Sequence, residues 1–276
     1  MSSPRLMAVV AHPDDESLGF GGTLAKYAAE GVEVFVLAAT RGDAGRYRGH
    51  LPGSDEHPGA PALAGIREAE LRAAAAVLGV RGVEVLDYHD QQLDRAVPGE
   101  VIAGIARHLR RIRPDVVVTF GPDGAYGHPD HVAISQFTTA AIVAAADPAP
   151  ASDEADAGGP PHTVSKLYYL AWPASAWAAF EAAFRRLIAK VDGQERQATP
   201  WPEWAITTVI DTRTVWATAW QAISCHVSQV TAYERLRDLA PVHHEALWGW
   251  QSFYRVFSTV NGGRLREADL FEGIPR

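Results

Sequence analysis

Apolar runs and amphipathic stretches alternate along the first half of the chain. Leu6 to Ala11 is a short, continuous apolar run closed by polar turn residues, which predicts a buried strand. Gly21 to Glu30 predicts a helix with Leu24, Tyr27 and Ala28 on one face and Gly31 as its stop. Glu33 to Ala39 predicts a second strand, and Arg67 to Leu78, rich in Ala and closed by Gly79, a second helix. A strand over Val83 to Leu86, a helix over Gly99 to Ile112, a Val-rich strand over Asp115 to Phe120 and a helix over His131 to Ala146 continue the alternation. This order predicts an α/β fold built on a doubly wound, mostly parallel, Rossmann-like sheet. Ligands of such sheets bind beyond the carboxyl ends of the strands.

Beyond residue 147 the pattern weakens. Residues 148–163 are dominated by Ala, Pro, Asp and Gly and read as a flexible linker or insertion. That divides the chain into an α/β core at 1–147 and a smaller C-terminal part of the same domain at 164–276, which completes the pocket. Within it, Lys166 to Ala171 and Ala205 to Ile210 predict strands, and Trp216 to Leu239 a long helix. The tryptophans beyond residue 170 are expected in the core and in pocket walls, with Trp201, Trp204, Trp248 and Trp250 as candidates for stacking on a ligand.

Composition narrows the choice of partner. A formal charge of -8 lacks the basic footprint that phosphate backbones require, so nucleic acid is not expected, and a neutral or modestly charged small molecule suits the chain better. Cys225 is the single cysteine, which leaves no internal disulfide, and its expected place is a small buried hydrophobe. No run approaches the ~20 apolar residues of a spanning helix, and the first apolar run is too short for a signal-peptide core. The chain therefore reads as soluble and cytoplasmic, with self-association left open.

Two motifs carry the chemistry. A-H-P-D-D-E, Ala11 to Glu16, stands where the first strand meets its loop, and G-H-P-D-H, Gly127 to His131, follows the fourth strand. The spacing of His12 and Asp15 lets an imidazole and a carboxylate converge on one cation, and the second loop opens at the same sheet edge, so that it can add a third ligand. Competing motifs fail: Leu24 replaces the third glycine of a dinucleotide fingerprint, no Walker lysine or G-x-S-x-G elbow occurs, and the H-E-x-x-H begun by His244 ends in Trp248. His243 and His244 are therefore expected to be surface or pocket residues.

The chain resembles the LmbE or PIG-L superfamily of zinc-dependent N-deacetylases, whose members act on N-acetylglucosaminyl conjugates. The resemblance rests on A-H-P-D-D-E-S-L-G-F-G-G-T-L from Ala11, T-R-G-D-A-G from Thr40, R-E-A-E-L-R-A-A-A-A-V-L-G-V from Arg67, G-H-P-D-H from Gly127 and H-V-S-Q from His226. It implies His12, Asp15 and His131 as metal ligands, Asp14 as the general base toward metal-bound water, and His128 as an imidazolium or acid toward the leaving amine. It further implies Tyr126 as an oxyanion donor and Arg67 and Asp90 as sugar-hydroxyl contacts, although the usual P-D-G is here His89, Asp90 and Gln91. The implied metal is Zn2+, with Fe2+ matching the same two-histidine, one-carboxylate set.

This division of labour also makes chemical sense. Amide hydrolysis needs an activated water, a polarised carbonyl and a proton for the departing nitrogen, and a divalent metal with an adjacent carboxylate supplies them. The expected activity is removal of an N-acetyl or N-acyl group from an N-acetylglucosamine-type conjugate. A metal amidase cutting a larger amide in a thiol-sugar conjugate and an inactive sugar-binding α/β protein stay open as alternatives. Two structural expectations complete the reading. Arg41 to Pro61, carrying five glycines, should form a mobile rim over the site, and Arg67 should sit near the start of a helix entering from that rim.

Overall fold

The computed structural model describes residues 3–148, 158–184, 188–191, 194–197, 199–229, 238–263 and 265–275. Most of the predicted linker, at 149–157, lies outside them. The centre of the fold is a seven-stranded sheet in the order β3-β2-β1-β4-β5-β9-β8. Its first five strands, β1 (Arg5–Val10), β2 (Glu33–Thr40), β3 (Gly82–Tyr88), β4 (Val116–Thr119) and β5 (Lys166–Leu170), run parallel. Strands β9 (Trp250–Ser258) and β8 (Thr208–Asp211) close the far edge antiparallel, so the sheet is mostly parallel as expected.

Leu6 to Val10 and Val116 to Thr119 are fully buried, which is why both read as unbroken apolar runs. Helices cover each face. On one side α2 (Gly21–Ala29), α3 (Ala60–Leu78) and α8 (Trp216–Ile223) pack together, and α4 (Pro98–Ile112) packs on α6 (Pro129–Ala146). The chain winds outward through β1, β2 and β3 and then returns to lay β4 beside β1. This reversal is a topological switch point, where the loops leaving β1 and β4 diverge and open a crevice. The A-H-P-D-D-E and G-H-P-D-H runs are those two loops.

Several elements differ from the sequence reading. Helix α3 starts at Ala60, so Arg67 lies two turns inside it instead of near its start. The predicted helix Trp216 to Leu239 stops at Ile223, and a short 3-10 turn, Val227–Gln229, follows. Residues 230–237 lie outside the described set. The stop has a partner-driven cause: breaking the helix at Ser224 brings His226 round to a buried carboxylate. Strand β9, helices α7 (Ala174–Phe184) and α9 (Pro241–Trp248) and the hairpin of β6 (Ile188–Val191) and β7 (Gln194–Gln197) were not anticipated.

Glu267 knits the antiparallel edge to the parallel sheet. Its carboxylate accepts from Lys166 Nζ (2.8 Å), Tyr168 (2.7 Å), Thr208 (3.0 Å), Arg255 (2.7 Å) and Asn261 (2.9 Å). Burial would raise its pKa, but these donors, Lys166 foremost, hold the carboxyl down at about 2. A charge as deeply buried as Lys166 is tolerable only with such a partner.

Candidate active site

The first loop begins where β1 ends at Val10. Pro13 and the four-residue helix α1 (Asp15–Leu18) turn the chain sharply, and Asp14 at the bend has φ 110°, a left-handed conformation that an L-aspartate adopts only under constraint. The second loop follows β4 and runs through a one-turn helix, α5 (Gly124–Gly127), into α6. His128 caps α6, with its Nδ1 accepting from the Asp130 backbone N–H at 3.2 Å. Each loop therefore presents its motif from the start of a helix on the crevice between β1 and β4.

Three side chains from these loops converge. His131 Nε2 lies 3.3 Å from Asp15 Oδ1 and 3.3 Å from His12 Nδ1, and His12 Nδ1 lies 3.5 Å from Asp15 Oδ2. Tetrahedral ligands bonded at ~2.0–2.1 Å stand ~3.3–3.4 Å apart, so these edges fit one zinc-sized cation. Two imidazoles and a carboxylate converging at this spacing are a donor set that suits a divalent cation. The residues present therefore fit a metal.

Histidine orientation supports the same donors. His12 Nε2 lies 3.0 Å from Asp90 Oδ1 and 3.1 Å from Asp130 Oδ2. With a proton on Nε2 shared between two carboxylates, Nδ1 would be the atom left to bind a cation, the arrangement common behind metal-bound histidines. Asp130 is itself fully buried and also accepts from the backbone N–H groups of Gln91 (2.7 Å) and Leu93 (3.2 Å). His131 is held differently, its ring stacked on Phe120 with centroids 4.0 Å apart.

Charge follows from this crowding. Burial alone would lower the His12 pKa, and hydrogen bonds to Asp130, Asp15 and Asp90 reverse that, holding it well above the usual range. Asp15 is kept well below the carboxylate range, the charges of His131 and His12 outweighing its burial. Asp90 falls to about 2, where His12 and then Arg67 overcome its burial. Burial, with repulsion from His12 and His131, pushes His128 down to about 4. With Nδ1 accepting from the Asp130 backbone N–H, Nε2 is the atom of this ring that can donate toward the cleft. Burial raises the Tyr126 hydroxyl far up, and Asp15, Asp14 and Asp90 add to it, so it stays a neutral donor.

Arg67 stands behind Asp14. Its Nη2 lies 3.1 Å from Asp14 Oδ2 and donates to the Pro13 carbonyl, while Nη1 donates to the Gly42 carbonyl at 3.0 Å and lies 3.9 Å from Asp90 Oδ2. Glycine at 42 is required for this approach, since a Cβ there would fall 2.1 Å from Arg67 Nη1. Arg67 and Asp90 do line the cleft, yet both already brace the catalytic loop.

The cleft has a volume of about 1060 Å³ and is lined by all eight residues singled out from the sequence: His12, Asp14, Asp15, Arg67, Asp90, Tyr126, His128 and His131. Rim residues Asp43 to Arg46, Leu51 to Gly53 and His57 add one wall, and Leu170, Trp172 and Gln229 another. The four tryptophans expected to stack on substrate do not line it. Trp204 is 85% exposed, Trp248 packs with Trp220 in a second core, Trp250 lies under Arg213, and Trp201 donates to Asp123. Trp172 is the tryptophan on the cleft wall. His244 is buried among Trp216, Trp220 and Trp248, away from the cleft, whereas Cys225 is half-buried. Asp130 and Glu16 were missed as site residues, although both stand inside the quoted motifs.

A Rossmann-like sheet with a His–Asp–His triangle and a braced aspartate at its switch point defines a hydrolytic α/β protein. Residues 7–142 match the family described as PIG-L: GlcNAc-PI de-N-acetylase. The chain belongs to this PIG-L family, since it is also 36% identical over 302 residues to a 1D-myo-inositol 2-acetamido-2-deoxy-alpha-D-glucopyranoside deacetylase of Rhodococcus jostii, across 99% of both chains. In fold it is similar to the N,N'-diacetylchitobiose deacetylase of Pyrococcus horikoshii, with TM-score 0.67 and 23% identity over 92% of this chain and 84% of that one. It is equally similar to the 4-carboxy-2-hydroxymuconate hydratase of Pseudomonas putida, with TM-score 0.68 and 19% identity over 94% and 99%. One fold thus serves a deacetylase and a hydratase, and the reaction has to be argued from the site.

Proposed function

We propose that this protein is a metal-dependent N-deacetylase acting on an N-acetylglucosaminyl conjugate, with a cyclitol such as myo-inositol as the aglycone. The observation that carries the reading is the closed triangle of His12 Nδ1, Asp15 and His131 Nε2 beside Asp14. The Rhodococcus relative, aligned end to end with this chain, is named for that substrate.

His12, Asp15 and His131 would hold the metal. Zinc is our choice, and iron(II) would satisfy the same donors. Bound there, the metal would lower the pKa of water and polarise the amide carbonyl. Asp14, oriented by Arg67, takes a proton from the attacking water as the C–O bond forms. Tyr126 and His128 Nε2 donate hydrogen bonds to the oxygen that gains charge, each such donor typically contributing a few kcal/mol. As the C–N bond breaks, the proton held by Asp14 passes to the leaving nitrogen, giving acetate and the free amine. Arg67 and Asp90 would contact sugar hydroxyls from the cleft floor with whatever capacity their bracing contacts leave.

No helix among the described residues is long and apolar enough to cross a membrane. The test is a screen of the zinc-loaded protein against N-acetylglucosaminyl-inositol, diacetylchitobiose, N-acetylglucosamine and a larger amide of the same amino sugar. Acetate and free amine in equal amounts from the inositol conjugate are expected. Release from the larger amide alone, or from none, would overturn the proposal.

A further inference from the structure

Beneath the catalytic loop lies a buried pair that the reaction as described does not use. Glu16 and His226, 210 positions apart, are both fully buried, and His226 Nε2 lies 2.8 Å from Glu16 Oε1. Ser17 Oγ donates to the same oxygen at 2.5 Å. The other oxygen, Oε2, accepts from the Asp14 backbone N–H at 2.9 Å. Asp14 is the residue whose φ of 110° needs an external constraint. A buried carboxyl oxygen accepting that N–H is such a constraint, and no water competes for it.

We infer that Glu16 and His226 are positioning residues that act through the Asp14 backbone to aim its carboxylate into the cleft. His226 Nε2 holds the Glu16 carboxylate in place from the interior side, at Oε1. Its own pKa, which burial would lower, is raised by the Glu16 charge and hydrogen bond. His226 is in turn fixed from both sides. It closes the turn after α8, and two residues on, Ser228 donates to Glu70 of α3 from its backbone N and its hydroxyl, each at 2.6 Å. The Ser228 carbonyl accepts from the Arg48 backbone at 2.6 Å, and Gln229 donates to the Arg46 carbonyl at 2.8 Å. The H-V-S-Q segment therefore straps the C-terminal part of the chain to α3, to the rim and, through Glu16, to the base. A carboxylate braced only by Arg67 could pivot about its backbone; one held at both the amide and Oδ2 cannot.

This inference rests on Asp14 being the general base, and the test separates the two. Glu16→Leu is made in the wild-type and in the Asp14→Asn background, with metal content and single-turnover deacetylation measured for all four proteins. In the wild-type background kcat should fall about ten-fold or more, with KM within about two-fold and metal retained. In the Asp14→Asn background the same change should cost less than about two-fold, because a residue acting only through the Asp14 carboxylate has nothing left to aim. Glu16→Asp, which keeps the charge opposite His226 but draws the acceptor back from the Asp14 amide, carries the same cycle if the leucine variant does not fold. Equal losses in both backgrounds, loss of metal with activity, or wild-type kcat would overturn the inference while leaving Asp14 as base. Full activity in Asp14→Asn alone would instead refute the base assignment itself.

Discussion

Arg67 Nη2 stands 3.1 Å from Asp14 Oδ2, reaching the proposed base from two turns inside α3. Arg67 is 4% exposed, so the contact is screened little by water. Arg67→Ala should lower kcat/KM by roughly 1 to 3 kcal/mol, most of it in kcat, with metal content unchanged. Steady-state kinetics beside metal analysis checks this, and unchanged turnover would show that Asp14 is aimed without Arg67.

Asp130 touches no substrate in this account and acts behind His12. Asp130→Asn should weaken metal affinity about 10- to 100-fold by loosening His12, as second-layer changes do elsewhere. Competition with a chelator measures it. Affinity equal to wild type would mean that Asp90 alone suffices to orient the ring.

What the sequence revealed and what it hid follow from how each feature is encoded. Strands β1 and β4 were legible because parallel strands buried on both faces must be apolar throughout, and Gly31 and Gly79 marked helix ends. The convergence of His12, Asp15 and His131 was legible because the two loops that supply them follow strands adjacent in the sheet. Strand β9 mixes Trp, Gln, Ser and Arg, since one end sits at a mixed edge and Arg255 turns to Glu267, so no clean period remains. The break at Ser224 was hidden because no Gly or Pro marks it; its cause is the carboxylate of Glu16, far away in sequence. Glu16 and Asp130 stood in plain view within the motifs, but a local pattern cannot tell an inward carboxylate from a solvated one. The tryptophans misled for a related reason: aromatic content says that area is buried, not where.

The rim at residues 41–59 lines the cleft and is tied to the H-V-S-Q segment through Arg48 and Gln229. Deleting residues 47–57 should raise KM or alter the choice among sugar conjugates while the metal stays bound, since no proposed ligand lies there. Kinetics on several conjugates tests it, and identical parameters across them would remove the rim from substrate binding.

Glu267 predicts a pH signature in stability. Its folded pKa of about 2 lies below the ordinary 4.5, so its contribution is fully present above about pH 4.5 and is lost as pH falls toward 2. Glu267→Gln should therefore be destabilised at pH 7, on the order of 2 to 3 kcal/mol, with the gap from wild type closing through that acid window. Denaturant melts from pH 7 to 2.5 would show it, and a gap constant with pH would contradict the assignment.

The central claim is that Asp14 moves the proton beside a metal held by His12, Asp15 and His131. The most direct test compares wild type with Asp14→Asn, matched for bound metal, in release of acetate from N-acetylglucosaminyl-inositol. The account predicts a kcat lower by about 10²-fold or more in the variant with one metal retained. A kcat above about a tenth of wild type at equal metal content would contradict it.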